Sequence, residues 1–324
     1  MSQYLKKSRS LQISKFQDTI LDKNGDLIQV GFGVGSYWRI YKAENNVTFV
    51  PELVTQIKQA IESGFKMIDA AEAYNTYEEI GIALKELGTK REDIWITDKY
   101  ISFSHKLRGS KGPIDSITRS LKLMQLDYVD MYLLHTPDIN EETAGITLTD
   151  AWKQCEKLVE MGKVKQIGVS NFRKSDLEEI MKICKIKPMC NQIEFHPYLQ
   201  QQSPGLREYC FENGIQLEAF SPLTPITKIK EGELNPVMPI LTKLGEKYGK
   251  NESQILLRWC VELGVIPLTT TSNKSRIEDY LNIFDFELTE EETQEIINVK
   301  DEKFYRGWMH DYYPFTDAEC NKGL

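Results

Sequence analysis

Between residues 30 and 284 the chain passes eight times from a short apolar run of strand length to a stretch of helical length. The strand-like runs cover 30–34, 66–69, 94–99, 129–134, 166–169, 189–194, 216–220 and 265–269. The helical stretches between them cover 51–63, 77–87, 113–124, 149–161, 174–184, 205–213, 253–263 and 274–284. Gly64, Gly162, Gly214 and Gly264 each fall just past a helical stretch, where a C-terminal cap favours glycine. Strands alternating with helices in this way predict a parallel sheet, and eight units in a row predict one that closes on itself. The expected fold class is therefore α/β, a (β/α)8 TIM barrel.

Residues 1–15 are polar and rich in Lys and Ser, and are expected to form a loosely ordered tail. The runs 16–21 and 27–30 flank Asp22-Lys23-Asn24-Gly25-Asp26, and Asn-Gly between strand-like runs predicts an N-terminal β-hairpin. Two helical stretches, 235–248 and 288–299, are additional to the alternation, and the second opens with the capping pattern Thr289-Glu290-Glu291-Glu292. The C-terminal loop 301–324 carries Phe304, Tyr305, Trp308, Tyr312, Tyr313 and Phe315, an aromatic density uncommon in disordered segments. It is expected either to pack on the barrel flank or to form an apolar wall over an active-site mouth. No linker or low-complexity run divides the chain, so 1–324 is expected to be a single barrel domain.

A chain of 324 residues suits one α/β barrel with insertions. Its net charge of −8 and lack of a basic stripe argue against nucleic acid or an anionic membrane surface as partner. No stretch reaches the ~18 apolar residues of a membrane span, and the N-terminus lacks a signal-peptide core, so a cytoplasmic location is expected. The six cysteines form no C-x-x-C pair and read as free thiols of a reducing compartment. The four histidines are too scattered for a metal cluster, and no metal is expected.

In a barrel of parallel strands, the C-terminal strand ends share one rim, where catalytic residues gather. Asp69 and Tyr74 follow the second strand-like run, Lys99 closes the third and His135 follows the fourth. Taken singly, Asp69 reads equally as a loop cap, Tyr74 as a packing residue, Lys99 as a solvated strand end and His135 as a core histidine. Together they form a device for delivering a proton. Hydride arriving at a carbonyl carbon leaves an alkoxide that must be protonated. A free tyrosine, with its pKa about 10, is a weak acid at neutral pH. An adjacent ammonium, Lys99, is expected to lower that value for Tyr74, and Asp69 to keep Lys99 charged and in place. His135 can donate a hydrogen bond to the carbonyl oxygen. The expected activity is carbonyl reduction.

Several segments carry a family resemblance. These are Gly64-Phe65-Lys66-Met67-Ile68-Asp69-Ala70-Ala71-Glu72-Ala73-Tyr74, Thr97-Asp98-Lys99, Leu133-Leu134-His135-Thr136-Pro137 and Gly168-Val169-Ser170-Asn171-Phe172. Asn191-Gln192-Ile193-Glu194-Phe195-His196-Pro197 and Ser221-Pro222-Leu223 belong with them. In order and over about 16–299, the chain resembles the aldo-keto reductases. The resemblance implies a (β/α)8 barrel, nicotinamide-dependent carbonyl reduction, and Tyr74 as general acid supported by Asp69, Lys99 and His135.

The resemblance also implies a cofactor site that the residues do not announce, because Gly31-Phe32-Gly33-Val34-Gly35-Ser36 is not a dinucleotide fingerprint. By likeness, Ser170, Asn171 and Gln192 hold the nicotinamide carboxamide, and Ser36 and Asp69 are further expected cofactor-binding residues. Phe220 stands where many relatives place a stacking tyrosine and keeps the π face. Ser221 and Leu223 begin a loop that in the family covers the pyrophosphate. In Thr269-Thr270-Thr271-Ser272-Asn273-Lys274-Ser275-Arg276 the usual lysine is absent. Thr271, Ser272, Asn273 and Arg276 remain as candidate ligands of the adenosine phosphate. NADPH/NADP+ is the expected cofactor.

Residues 68–76, 191–200 and 218–223 and the Thr-Thr-Thr-Ser run further resemble a fungal branch of the family, the conjugated polyketone (ketopantoyl lactone) and α-keto amide reductases. That likeness implies a small-molecule substrate with an activated ketone: an α-keto lactone, α-keto amide, dione or α-keto ester. Trp38, with Tyr74 and His135, is the expected substrate contact, or else packs beneath the first loop. Alternatives are an aldose- or xylose-type reductase and a nicotinamide-binding regulatory subunit without significant turnover. The protein is expected to act as a monomer, with a weak dimer as the alternative.

Overall fold

A computed structural model describes residues 20, 24–26, 28–103, 109–310, 312–313 and 317–321. The expected tail 1–15 and nearly all of the first hairpin run 16–21 lie outside these. Eight parallel strands close into a barrel in sequence order, β1 beside β8. They are β1 (Gly31–Gly33), β2 (Met67–Asp69), β3 (Trp95–Tyr100), β4 (Val129–Leu134), β5 (Val164–Ser170), β6 (Cys190–Glu194), β7 (Gln216–Phe220) and β8 (Val265–Thr269).

The helices are α1 (Ser36–Glu44), α2 (Pro51–Ser63), α3 (Tyr77–Leu87), α4 (Pro113–Met124), α5 (Leu148–Glu160), α6 (Lys174–Ile183), α7 (Leu206–Glu212), α8 (Thr224–Thr227), α9 (Met238–Tyr248), α10 (Glu252–Glu262), α11 (Lys274–Leu281), α12 (Glu290–Asn298) and α13 (Asp317–Cys320). All eight expected strand–helix units form. The additional helices α9 and α12 form too, and the Thr289 hydroxyl and Glu292 carboxylate complete the capping box. Gly64, Gly162, Gly214 and Gly264 all take positive φ.

Strand alternation divides the side chains between two cores. Met67, Trp95, Met131, Leu133, Cys190, Ile266 and Leu268 make one buried cluster inside the barrel, and Ile20 and Ile28 from the N-terminal segment join it. Ile28 N donates to Ile20 O at 2.9 Å, and Gly25 between them has φ +84°. No strand is formed by 24–26 or 28–30, however, so of the expected N-terminal hairpin only this one backbone bond is seen among the described residues. Ile68, Ile96, Tyr132 and Leu134 belong to a larger cluster packed against the surrounding helices. Because Met67 and Trp95 point inward, so do Asp69 and Lys99, two and four residues further on. Apolar residues thus fill the barrel below, and the inward positions at the C-terminal ends are polar.

Helix α1 was not foreseen. It starts after Gly35 without a side-chain cap, so the usual entry signal is missing. Tertiary contacts hold it instead. Lys42 is buried, pairs with Glu79 at 2.6 Å and donates to Asn75 O at 2.6 Å. No helix among the described residues is long and apolar enough to cross a membrane.

Candidate active site

Asp69, Lys99 and His135 stand on or just beyond β2, β3 and β4, and the register aligns Asp69 with Thr97 and Lys99 with Leu133. Tyr74 closes a single 3-10 turn, Glu72–Tyr74, that follows β2. Asn75 ends the turn in the left-handed region (φ 60°), where Lys42 of α1 binds its carbonyl. Gly35 brings the α1 entry against the Tyr74 ring, for a Cβ there would lie 3.0 Å from ring carbons.

The four expected catalytic residues come together. Lys99 Nζ donates to Asp69 Oδ2 at 2.7 Å, to Ala70 O at 2.7 Å and to Tyr74 Oη at 3.4 Å. The Tyr74 and His135 rings meet edge to face, 5.8 Å between centroids. Lys99 is fully buried. Burial opposes its charge, but Asp69 and Tyr74 outweigh that and hold it as ammonium. His135 is pushed well below the usual imidazole range by burial, with Lys99 and Arg39 adding to it, so it is neutral at pH 7.

One electrostatic expectation reverses. Lys99 does pull the Tyr74 phenol down, but burial pushes it up further and Asp69 adds to the rise, so the net direction is upward. In the protein alone, Tyr74 is therefore a protonated donor.

The expected carboxamide ligands lie next to this group. Ser170 and Gln192 are register partners, and Ser170 Oγ donates to Gln192 O at 2.9 Å. Asn171 takes a left-handed backbone (φ 63°) and its Nδ2 donates to His135 O at 3.0 Å and Ser170 Oγ at 3.1 Å. Asn171 Oδ1 is buried and has no hydrogen-bond partner among the described residues. An orphaned acceptor of this kind fits the N–H donors of a carboxamide. Phe220 ends β7, half-buried, with Trp308 edge-on at 6.5 Å. Ser221 (φ 55°) turns the chain into α8, whose N-cap is Leu223.

The remaining candidates form a separate group. Ser272, Asn273 and Arg276 are exposed around the start of α11, where Asn273 Oδ1 caps Ser275 N at 2.9 Å and Thr271 Oγ1 accepts from Asn273 N. Among the described residues no hydrogen bond or ion pair joins them to the catalytic group. Ser36 is the first residue of α1, and its side chain lies outside the described residues. Trp38 is buried, edge-on against Tyr37 and Tyr41, within the outer core. The neighbouring Tyr37 is the aromatic of α1 that faces solvent. Among the described residues no group of three or more His, Cys, Asp or Glu could hold a metal ion.

Sequence reasoning missed two acceptors. Glu218 of β7 accepts from Gln192 Nε2, which also donates to Asp69. A glutamate two residues before Phe220 was the only signal. Glu194 accepts from the backbone N–H groups of Gly307 (2.7 Å) and Trp308 (3.2 Å), fastening the tail to the end of β6. A Cβ on Gly307 would lie 2.9 Å from Glu194 Oε1, so the latch requires glycine there. The tail thus reaches the rim through Trp308 beside Phe220 and Tyr313 on the Asn171 carbonyl.

The sequence profile of the Aldo/keto reductase family matches residues 30–301. The chain is 45% identical over 279 residues to an NADPH-dependent alpha-keto amide reductase of Saccharomyces cerevisiae, covering 85% of this chain and 88% of that one. It is 38% identical over 291 residues to a glyoxal reductase of Bacillus subtilis, covering 90% and 96%. A Bombyx mori aldo-keto reductase solved in complex with NADP superposes with a TM-score of 0.75 at 28% identity, covering 93% of this chain and 98% of that one.

Proposed function

Because the chain belongs to the aldo/keto reductase family, we propose that it is an NADPH-dependent carbonyl reductase with Tyr74 as its proton donor. The observation that carries this reading is the chain from half-buried Tyr74 through buried Lys99 to Asp69, beside a neutral imidazole. NADPH, when bound, supplies the hydride. The Tyr74 hydroxyl gives its proton to the alkoxide oxygen that results. Lys99 stabilises the tyrosinate left behind, and Asp69 holds Lys99 in reach. His135 donates one ring N–H to the carbonyl oxygen and so fixes its direction. Asn171, Ser170 and Gln192 receive the carboxamide, Phe220 offers a face for stacking, and Ser221 and Leu223 open the loop toward the pyrophosphate. Thr271, Ser272, Asn273 and Arg276 receive the adenosine phosphate.

The substrate class we assign is the activated ketone: α-keto lactone, α-keto amide, dione or α-keto ester. Its support is the 45% identity to the yeast α-keto amide reductase. We assign the chain a single domain and a monomeric state, and its six free cysteines fit a reducing, cytoplasmic compartment.

Loss of reduced-nicotinamide absorbance tests the assignment, using NADPH and NADH with ketopantoyl lactone, isatin, an α-keto ester and xylose. Fast turnover of the dicarbonyls with NADPH is expected. Preference for xylose would move the protein to the aldose reductases. NADPH binding without any turnover would make it a regulatory subunit. Tyr74→Phe should lower turnover by roughly 10²–10⁴-fold while leaving NADPH affinity intact.

A further inference from the structure

Gln192 and Glu218 are register partners on β6 and β7, so their side chains lie side by side inside the barrel. Both are buried, as is Asp69. Gln192 Nε2 donates to Asp69 Oδ1 at 3.0 Å and to Glu218 Oε2 at 2.8 Å. A primary amide has two N–H donors and one oxygen acceptor. With both donors committed to carboxylates, only Gln192 Oε1 remains for a ligand. Asp69 alone would not achieve this, because the second N–H would stay free to turn upward.

We infer that Glu218 is a positioning residue that locks the Gln192 amide with its oxygen toward the cofactor, so that the site selects a nicotinamide whose carboxamide donates an N–H. This rests on the proposed contact between Gln192 and the carboxamide. Burial holds the Glu218 carboxyl up at about 7, and both its neutral and charged forms keep an oxygen able to accept from Gln192. Nothing else in the proposed mechanism uses Glu218. Its placement in the barrel interior has a desolvation cost that packing alone does not explain.

The test compares two cofactors. NADPH and its reduced 3-acetylpyridine analogue differ in that a methyl group replaces the carboxamide nitrogen, so the analogue lacks the donor. The wild-type protein should bind NADPH about a hundredfold more tightly, because the analogue lacks the donor for both Gln192 Oε1 and the unpartnered Asn171 Oδ1. Glu218→Met removes the acceptor and should lower that ratio about fivefold, because Gln192 can then rotate while Asn171 still selects the donor. Glu218→Gln keeps an acceptor oxygen and should restore the ratio. Glu218→Asp, which retracts the carboxylate by one methylene, should behave like Met and serves if Glu218→Met does not fold. Equal weakening of both cofactors by Met and Asp, with the ratio unchanged, would overturn the inference and leave Glu218 a structural residue. Gln192→Ala separates the two levels. If it lowers the preference while the Glu218 variants do not, only the inference fails. If it changes neither affinity, the assignment of Gln192 to the carboxamide fails.

Discussion

The Tyr313 hydroxyl donates a 2.5 Å hydrogen bond to the backbone carbonyl of Asn171, 142 positions earlier in the chain. Asn171 holds a left-handed backbone and its side chain reaches the carbonyl of His135. The C-terminal tail is therefore tied to the proposed nicotinamide ligand as well as to the pocket wall. The Arg306 guanidinium lies over the Tyr313 ring at 4.2 Å and fixes its orientation.

Tyr313→Phe should loosen Asn171 without emptying the pocket. A neutral hydrogen bond of this kind contributes about 1 kcal/mol, so the NADPH dissociation constant should rise about fivefold. Titration of tryptophan fluorescence reads this directly. An unchanged constant would show that Asn171 holds its conformation without the tail.

Lys99→Met should cost stability as well as turnover. It leaves the buried Asp69 carboxylate without its counter-charge, with Gln192 as its remaining hydrogen-bonding side chain. Breaking a buried pair from one side costs about 3–5 kcal/mol, and the double variant Asp69→Asn/Lys99→Met should recover much of that. Urea denaturation of the three proteins tests this. A single variant as stable as wild type would mean that water replaces the ammonium.

Asp98 points away from the barrel interior and accepts from the Tyr77 and Ser120 hydroxyls, both at 2.7 Å. Burial raises its carboxyl from 3.8 to about 6. Because the folded value lies above the unfolded one, the folded state binds the proton more tightly. The stability that this contributes is fully present below about pH 4 and is lost as pH rises through about 6, roughly 3 kcal/mol in all. Asp98→Asn should flatten that part of the stability profile. A slope unchanged by the substitution would assign it to another group.

His135 should remain uncharged across the working range. Burial, then Lys99 and Arg39, all hold its pKa well below 6.5. Nitrogen chemical shifts of the His135 imidazole should stay those of the neutral ring from about pH 8 down to about pH 5.5, although a free histidine would be mostly charged at the lower limit. Titration near 6.5 would remove the neutral hydrogen-bond donor from the mechanism. The same sign predicts that this group withdraws stability as pH falls below 6.5, because only the unfolded chain then gains its proton.

Much of this molecule follows from order along the chain. Repeated short apolar runs and helix-length stretches determined a closed parallel barrel, since each strand needs a helix to cover it. Strand ends then placed Asp69, Lys99 and His135 on one rim with Tyr74 a turn beyond, because side-chain direction alternates strictly along a strand. Helix α1 escaped notice because it carries no cap and is held by the Lys42–Glu79 pair. Only the tertiary structure decided the state of Tyr74, where burial outweighs the neighbouring ammonium. It alone joined Glu218 to Asp69 through Gln192, and the tail to Asn171. Desolvation and hydrogen bonds between distant segments depend on what closes over a residue, which no local pattern in the chain encodes.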